Sequence, residues 1–167
     1  MEPPDAVIEF GSDTPGEVLG WLGQLESSHQ GWINLQPGVP EGVLERSPTP
    51  MSLFHRRPRE LTLGTWAAGP IRRRGPEPAT VGILHGRPER VRVILTNAGL
   101  AIPAGWRVRS DRPAVGLVAR VAEGTPGAEV LAWLLKAVEA VSPVPVVGTW
   151  RAVVQRGRQP STKEGDQ

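Results

Sequence analysis

Arginine supplies most of the chemistry available to this chain. Seventeen of its nineteen basic residues are arginine, the exceptions being Lys136 and Lys163. Arg46, Arg56, Arg57, Arg59, Arg72, Arg73 and Arg74 fall in two stretches rich in Pro and Gly, from Pro37 to Glu60 and from Ala68 to Ala79. Clustered guanidinium groups neutralise phosphates and release condensed counterions, which gives affinity for a polyanion without reading its sequence. Arg56, Arg57, Arg59, Arg72, Arg73 and Arg74 are therefore the candidate anion- or nucleic-acid-binding residues. Two facts argue for a plainer reading as solvated loops. Gly, Ala, Val, Pro and Arg dominate the whole chain, as in high-GC genomes, so arginine is raised everywhere. Nucleic-acid modules also add exposed aromatics or a recognition helix, and these loops offer only Phe54.

The other reactive side chains are sparse. The chain has no cysteine, which removes thiolate zinc sites, iron–sulfur clusters, disulfides and a thiol nucleophile. No G-x-S-x-G elbow and no phosphate-binding glycine spacing is present. His29, His55 and His85 are isolated from other ligand types except for Glu26, three residues before His29, so neither a metal nor a cofactor is expected. An enzyme built from scattered polar residues would have to draw on His85, Asp111 and Glu77. Of these His85 is the best placed, at the end of a predicted strand just before a helix, where it serves either as a hydrogen-bonded structural residue or as a general base.

The elements that would position these residues are legible in the pattern. Thr14-Pro15-Gly16-Glu17-Val18-Leu19-Gly20-Trp21-Leu22 is echoed by Thr125-Pro126-Gly127-Ala128-Glu129-Val130-Leu131-Ala132-Trp133-Leu134, and both passages predict a helix start. Thr offers an N-cap oxygen, Pro fits the first helical position, and Glu suits the positive end of the dipole. Thr14 and Glu17 also have capping-box spacing. Val130, Leu134, Ala137, Val138 and Val141 continue the second helix until Pro143. A third helix is predicted from Pro88, with Val91, Ile94, Leu95 and Ala98 on one face and Gly99 as a left-handed cap.

Strands are predicted at Ala6–Phe10, Gly31–Gln36, Leu61–Ala67, Thr80–His85, Trp106–Ser110, Gly116–Ala122 and Trp150–Gln155. Four of the six tryptophans lie at strand starts and two on the echoed helices, the distribution expected of core pillars. The fold class that follows is α+β, an antiparallel sheet with helices on one face.

From Thr80 onward the order is strand, helix, strand, strand, helix, strand. That order resembles the ferredoxin-like split βαβ fold, which would occupy residues 79–156. The strand Gly116–Ala122 lacks the stacking aromatics with which RNA-binding domains of that plan hold bases. The organisation expected is an acidic β-α-β segment over 1–36, a Pro/Gly/Arg-rich loop over 37–60, a strand and arginine loop over 61–78, the βαββαβ unit, and a disordered tail over 157–167. All of it reads as one compact domain. The first segment is either a diverged copy of the unit or an extension of its sheet, and the helix echo favours the copy. The passages Gly31-Trp32-Ile33-Asn34-Leu35-Gln36-Pro37 and Ile102-Pro103-Ala104-Gly105-Trp106-Arg107-Val108 resemble small actinobacterial proteins of unassigned function, a resemblance that implies no activity.

Charge is uneven along the chain. Residues 1–45 hold eight acidic side chains and no Lys or Arg, while residues 46–112 hold thirteen arginines against four acids. Such an asymmetry steers an anionic partner, unless the acidic segment folds back on the basic one and neutralises it. The N-terminus does not read as a signal peptide, and no apolar run approaches the ~20 residues that span a bilayer, so a cytoplasmic location is expected, with no membrane partner. The functional expectation is a non-catalytic interaction or regulatory module with a protein partner or a homodimer. Nucleic-acid or polyanion binding through the arginine loops is the alternative, and an enzyme with a site near His85 the third.

Overall fold

The structure, a computed structural model, describes residues 2–39 and 62–157. Arg46, Arg56, Arg57 and Arg59, His55, Phe54 and nearly all of the predicted 37–60 loop and C-terminal tail lie outside the described residues. The elements are β1 (Ala6–Gly11), α1 (Gly16–Ser28), β2 (Trp32–Pro37), β3 (Leu63–Ala67), β4 (Ile71–Arg72), β5 (Gly75–Pro76), β6 (Thr80–Leu84), α2 (Val91–Asn97), β7 (Arg107–Arg112), β8 (Gly116–Arg120), α3 (Gly127–Val141) and β9 (Thr149–Gln155). Seven strands form one sheet in the order β1-β9-β2-β3-β6-β8-β7, and each neighbouring pair is antiparallel. The short strands β4 and β5 make a separate hairpin between β3 and β6.

The α+β class and the antiparallel sheet are as the sequence implied; the strand order is not. In the ferredoxin-like plan the last strand lies beside the first, which here would set β9 against β6. Instead β2 and β3 intervene, and β9 is held between β1 and β2. The N-terminal segment thus extends the same sheet. Two split βαβ units result: β1-α1-β2 brackets β9, and β6-α2-β7 brackets β8. Topologically α1 corresponds to α2, so the echoed helices α1 and α3 occupy different places. The echo marks a shared way of starting a helix.

One sheet face is covered. Helix α3 crosses its centre, contacting β2, β3 and β6, with α1 and α2 packed on either side of it. Alternation decides which side chains meet the helices. One register row runs Ala6, Val154, Ile33, Trp66, Val81, Ala119 and Val108, and the next runs Ile8, Ala152, Leu35, Gly64, Ile83, Leu117 and Asp111. Val130, Leu131, Trp133, Leu134, Leu135, Ala137, Val138 and Val141 of α3 are buried above them. Each such aliphatic side chain contributes roughly 1.5–3 kcal/mol when enclosed. Gly64 permits the closest approach, since a Cβ there would lie 2.9 Å from Val138 Cγ2.

Some local expectations need correction. Thr14 and Thr125 do not cap the helices they precede. Their hydroxyls bond backward, Thr125 Oγ1 donating to Ala122 O at 2.7 Å and Thr14 Oγ1 accepting from Gly11 N–H at 3.2 Å. The first helical bonds are accepted by the Pro15 and Pro126 carbonyls, so the threonines stiffen the entering turns. Helix α2 starts at Val91, three residues after Pro88, because its cap comes from the sheet. Gly99 does have the left-handed φ, 73°. Trp66, Trp106, Trp133 and Trp150 are core residues, Trp21 is partly buried, and Trp32 is 41% exposed. Ile33 and Leu35 face the helices, so their neighbour Trp32 must face the other way.

Candidate functional site

The polar residues proposed for catalysis are used by the scaffold. His85 is fully buried at the end of β6, and its Nδ1 accepts the Arg87 backbone N–H at 3.2 Å, fixing the turn that leaves the strand. Asp111 on β7 caps α2: Oδ1 accepts from Val91 N–H at 3.0 Å, Oδ2 from Arg92 N–H at 3.3 Å, and Arg92 Nε lies 3.5 Å away. A carboxylate at a helix N-terminus satisfies orphan donors and suits the dipole. Glu77 takes Arg120 at 3.5 Å and Arg72 at 4.0 Å. Neither His85 nor Asp111 is near Glu77's cleft.

That cleft, of about 160 Å³, lies between the C-terminal end of α1 and the start of α3. Glu26, His29, Glu77 and Glu123 line it above Leu22 and Trp66. His29 Nδ1 is 3.2 Å from Gly69 O, and Glu77 is already paired, so the sequence pair Glu26 and His29 joins a wall and not a ligand set. Among the described residues no three His, Asp or Glu side chains converge to hold a metal.

Of the candidate arginines, Arg72, Arg73 and Arg74 are described, and the structure joins them to residues the sequence did not single out. They form the exposed turn of the β4–β5 hairpin, where Arg72 pairs in register with Gly75 at φ 113°. Glu77 ties this hairpin to Arg120, and Arg120 stands beside Arg107 in the sheet register. With Arg109 and Arg112 on the edge strand β7, the hairpin makes one basic flank. Among the described residues Arg73, Arg74, Arg107, Arg109 and Arg112 make no ion pair.

Two acidic residues stand at the other edge, Asp5 just before β1 and Glu9 on it. Glu9 meets Arg151 at 2.9 Å, and Asp5 accepts the Arg156 N–H at 2.7 Å. With strands spaced about 4.8 Å apart, the two edges of the seven-stranded sheet are about 29 Å apart. Asp5 and Glu9 therefore lie at the edge opposite Arg107, Arg109 and Arg112 of β7, while Glu26 of the same acidic segment lines the cleft with Pro76 and Glu77 beside the arginine hairpin.

Between the edges runs the face on which no described helix packs. Its middle row is Val7, Val153, Asn34, Thr65, Gly82, Val118 and Ser110, with Thr65 Oγ1 donating to Asn34 Oδ1 at 3.0 Å. Below it stand Gln155, Trp32, Ala67, Thr80, Arg120 and Arg107; above it Glu9, Arg151, Gln36, Leu63, Leu84 and Arg112. Val7, Trp32, Leu84 and Val118 are each more than a third exposed on this face. The sequence carried a signal for it, since strands such as Gly116–Arg120 alternate small and branched apolar residues on both sides; a face meant only for water would be polar at every second position. No described helix is long and apolar enough to cross a membrane.

No protein-family model, no curated protein sequence and no solved structure matches this chain.

Proposed function

We propose that this protein is a non-catalytic binding module that engages a protein partner through the open face of its sheet. The observation that carries this reading is the placement of α1, α2 and α3 on one side, which leaves Val7, Trp32, Leu84 and Val118 exposed on the other. Apolar side chains exposed on an uncovered sheet face, with charged residues beside them, are available to a protein partner. The structural engagement of His85, Asp111 and Glu77 lends no support to a catalytic site built from them. The test is affinity capture from the source cells with the full chain, comparing wild type with a Trp32→Ala, Val118→Glu variant. A partner lost on that substitution supports the reading. A partner kept by it, and lost instead when exposed residues of α2 or α3 are changed, overturns it.

A second reading, polyanion binding, draws on the arginine flank, where Arg72, Arg73 and Arg74 share one side of the molecule with Arg107 and Arg120. Its mark is affinity for an oligonucleotide or heparin that falls steeply with salt.

A further inference from the structure

We infer that the open face pairs with a second copy of this chain, about a two-fold axis lying between the two sheets, parallel to the strands and passing over β3. The inference rests on the open-face reading and names its occupant. Strand β3 is the middle strand of the seven, so this rotation lays β1 of one copy over β7 of the other while every row keeps its height. Aligned sheets pack about 10 Å apart in this manner.

In this pairing Val153 packs on Val118 near the centre, and the acids of β1 lie over the arginines of β7 at the edges. In the middle row Val7 meets Ser110, Val153 meets Val118, Asn34 meets Gly82, and Thr65 on the axis meets its own copy. In the rows on either side, Asp5, one step before the Ala6–Val154 pair, comes over Arg107, and Glu9 comes over Arg112. Two-fold symmetry doubles each contact. The other possible axis, across the strands, sets β1 on β1 and β7 on β7. It brings acid to acid and arginine to arginine at both edges, so the charge distribution selects the first.

The footprint sets the strength. About 29 Å of width and about 17 Å of strand length give roughly 500 Å² per copy as a flat area. Doubled to about 1,000 Å² in all, it lies below the size of standard stable interfaces, so the dimer is a weak, reversible one.

Sedimentation velocity of the full chain over a concentration series reads the association, and single cysteines read its geometry, because the natural sequence has none. Wild type is expected to form a dimer that Val118→Glu weakens about tenfold or more, since it sets a carboxylate against the partner's Val153. A mixture of Val7→Cys and Ser110→Cys proteins treated with a short bis-maleimide is expected to cross-link between the two variants and not within either. A chain that stays monomeric at high micromolar concentration overturns the inference, and leaves the open-face reading to the capture experiment. A dimer indifferent to Val118→Glu, or one in which Val7→Cys cross-links to itself, overturns it as well.

Discussion

Removing the carboxylate of Asp111 tests whether this residue is scaffold or chemistry. Its side chain is only 4% exposed, and it serves two backbone N–H groups of α2 at 3.0 and 3.3 Å together with the Arg92 guanidinium. Asp111→Ala leaves both N–H groups without their acceptor, at a helix of only seven residues whose Val91, Ile94 and Leu95 are core. Loss of a cap costs about 0.5–2 kcal/mol and a partly buried unpaired donor about 1–3 kcal/mol, so a loss of about 2 kcal/mol is expected. The exposed Arg92 adds little. Asp111→Asn keeps the acceptor for Val91 and should lose about half as much. In urea unfolding, with a slope of about 2 kcal/mol/M, the alanine variant's midpoint should fall by about 1 M at unchanged slope. In thermal unfolding it should fall by roughly 4–8 °C. An alanine variant within about 0.5 kcal/mol of wild type would refute the capping role, and Arg92→Ala serves as the control expected to change little.

Three further outcomes follow from single features. Gly64→Val places a side chain under α3 where even a Cβ meets Val138 Cγ2 at 2.9 Å and Leu134 Cγ at 3.3 Å, so denaturant unfolding should show a loss of about 1–3 kcal/mol. Ala114, at φ 58°, is the third residue of the Arg112–Val115 turn, and Ala114→Gly should raise the melting temperature by an amount equivalent to about 1 kcal/mol. Changing Arg72, Arg73 and Arg74 together to Ala should leave stability within about 0.5 kcal/mol, because the one ion pair these arginines make among the described residues, Arg72 with Glu77, is exposed. If the polyanion reading holds, the same variant should flatten the salt dependence measured by fluorescence anisotropy with a labelled oligonucleotide.

The local features were written in local residue choices. The echoed Thr-Pro-Gly passages located the starts of α1 and α3; periodicity carried α3 to Pro143 and marked the core face of α2; alternation located the strands of the main sheet; Gly99 foretold its left-handed turn. Each of these depends on neighbours within a few positions, where backbone sterics and side-chain direction are fixed by the chain itself. Which strand lies beside which is a contest among distant partners. Only the tertiary structure decided that β9 inserts between β1 and β2 and not beside β6. The same holds for Asp111, whose role depends on a helix about twenty residues earlier being folded against its strand. The acids of β1 and the arginines of β7 stand far apart only because β1 and β7 ended as opposite edges. A sequence sets which side of each strand is apolar; burial of one side by helices, and exposure of the other, belongs to the assembled sheet.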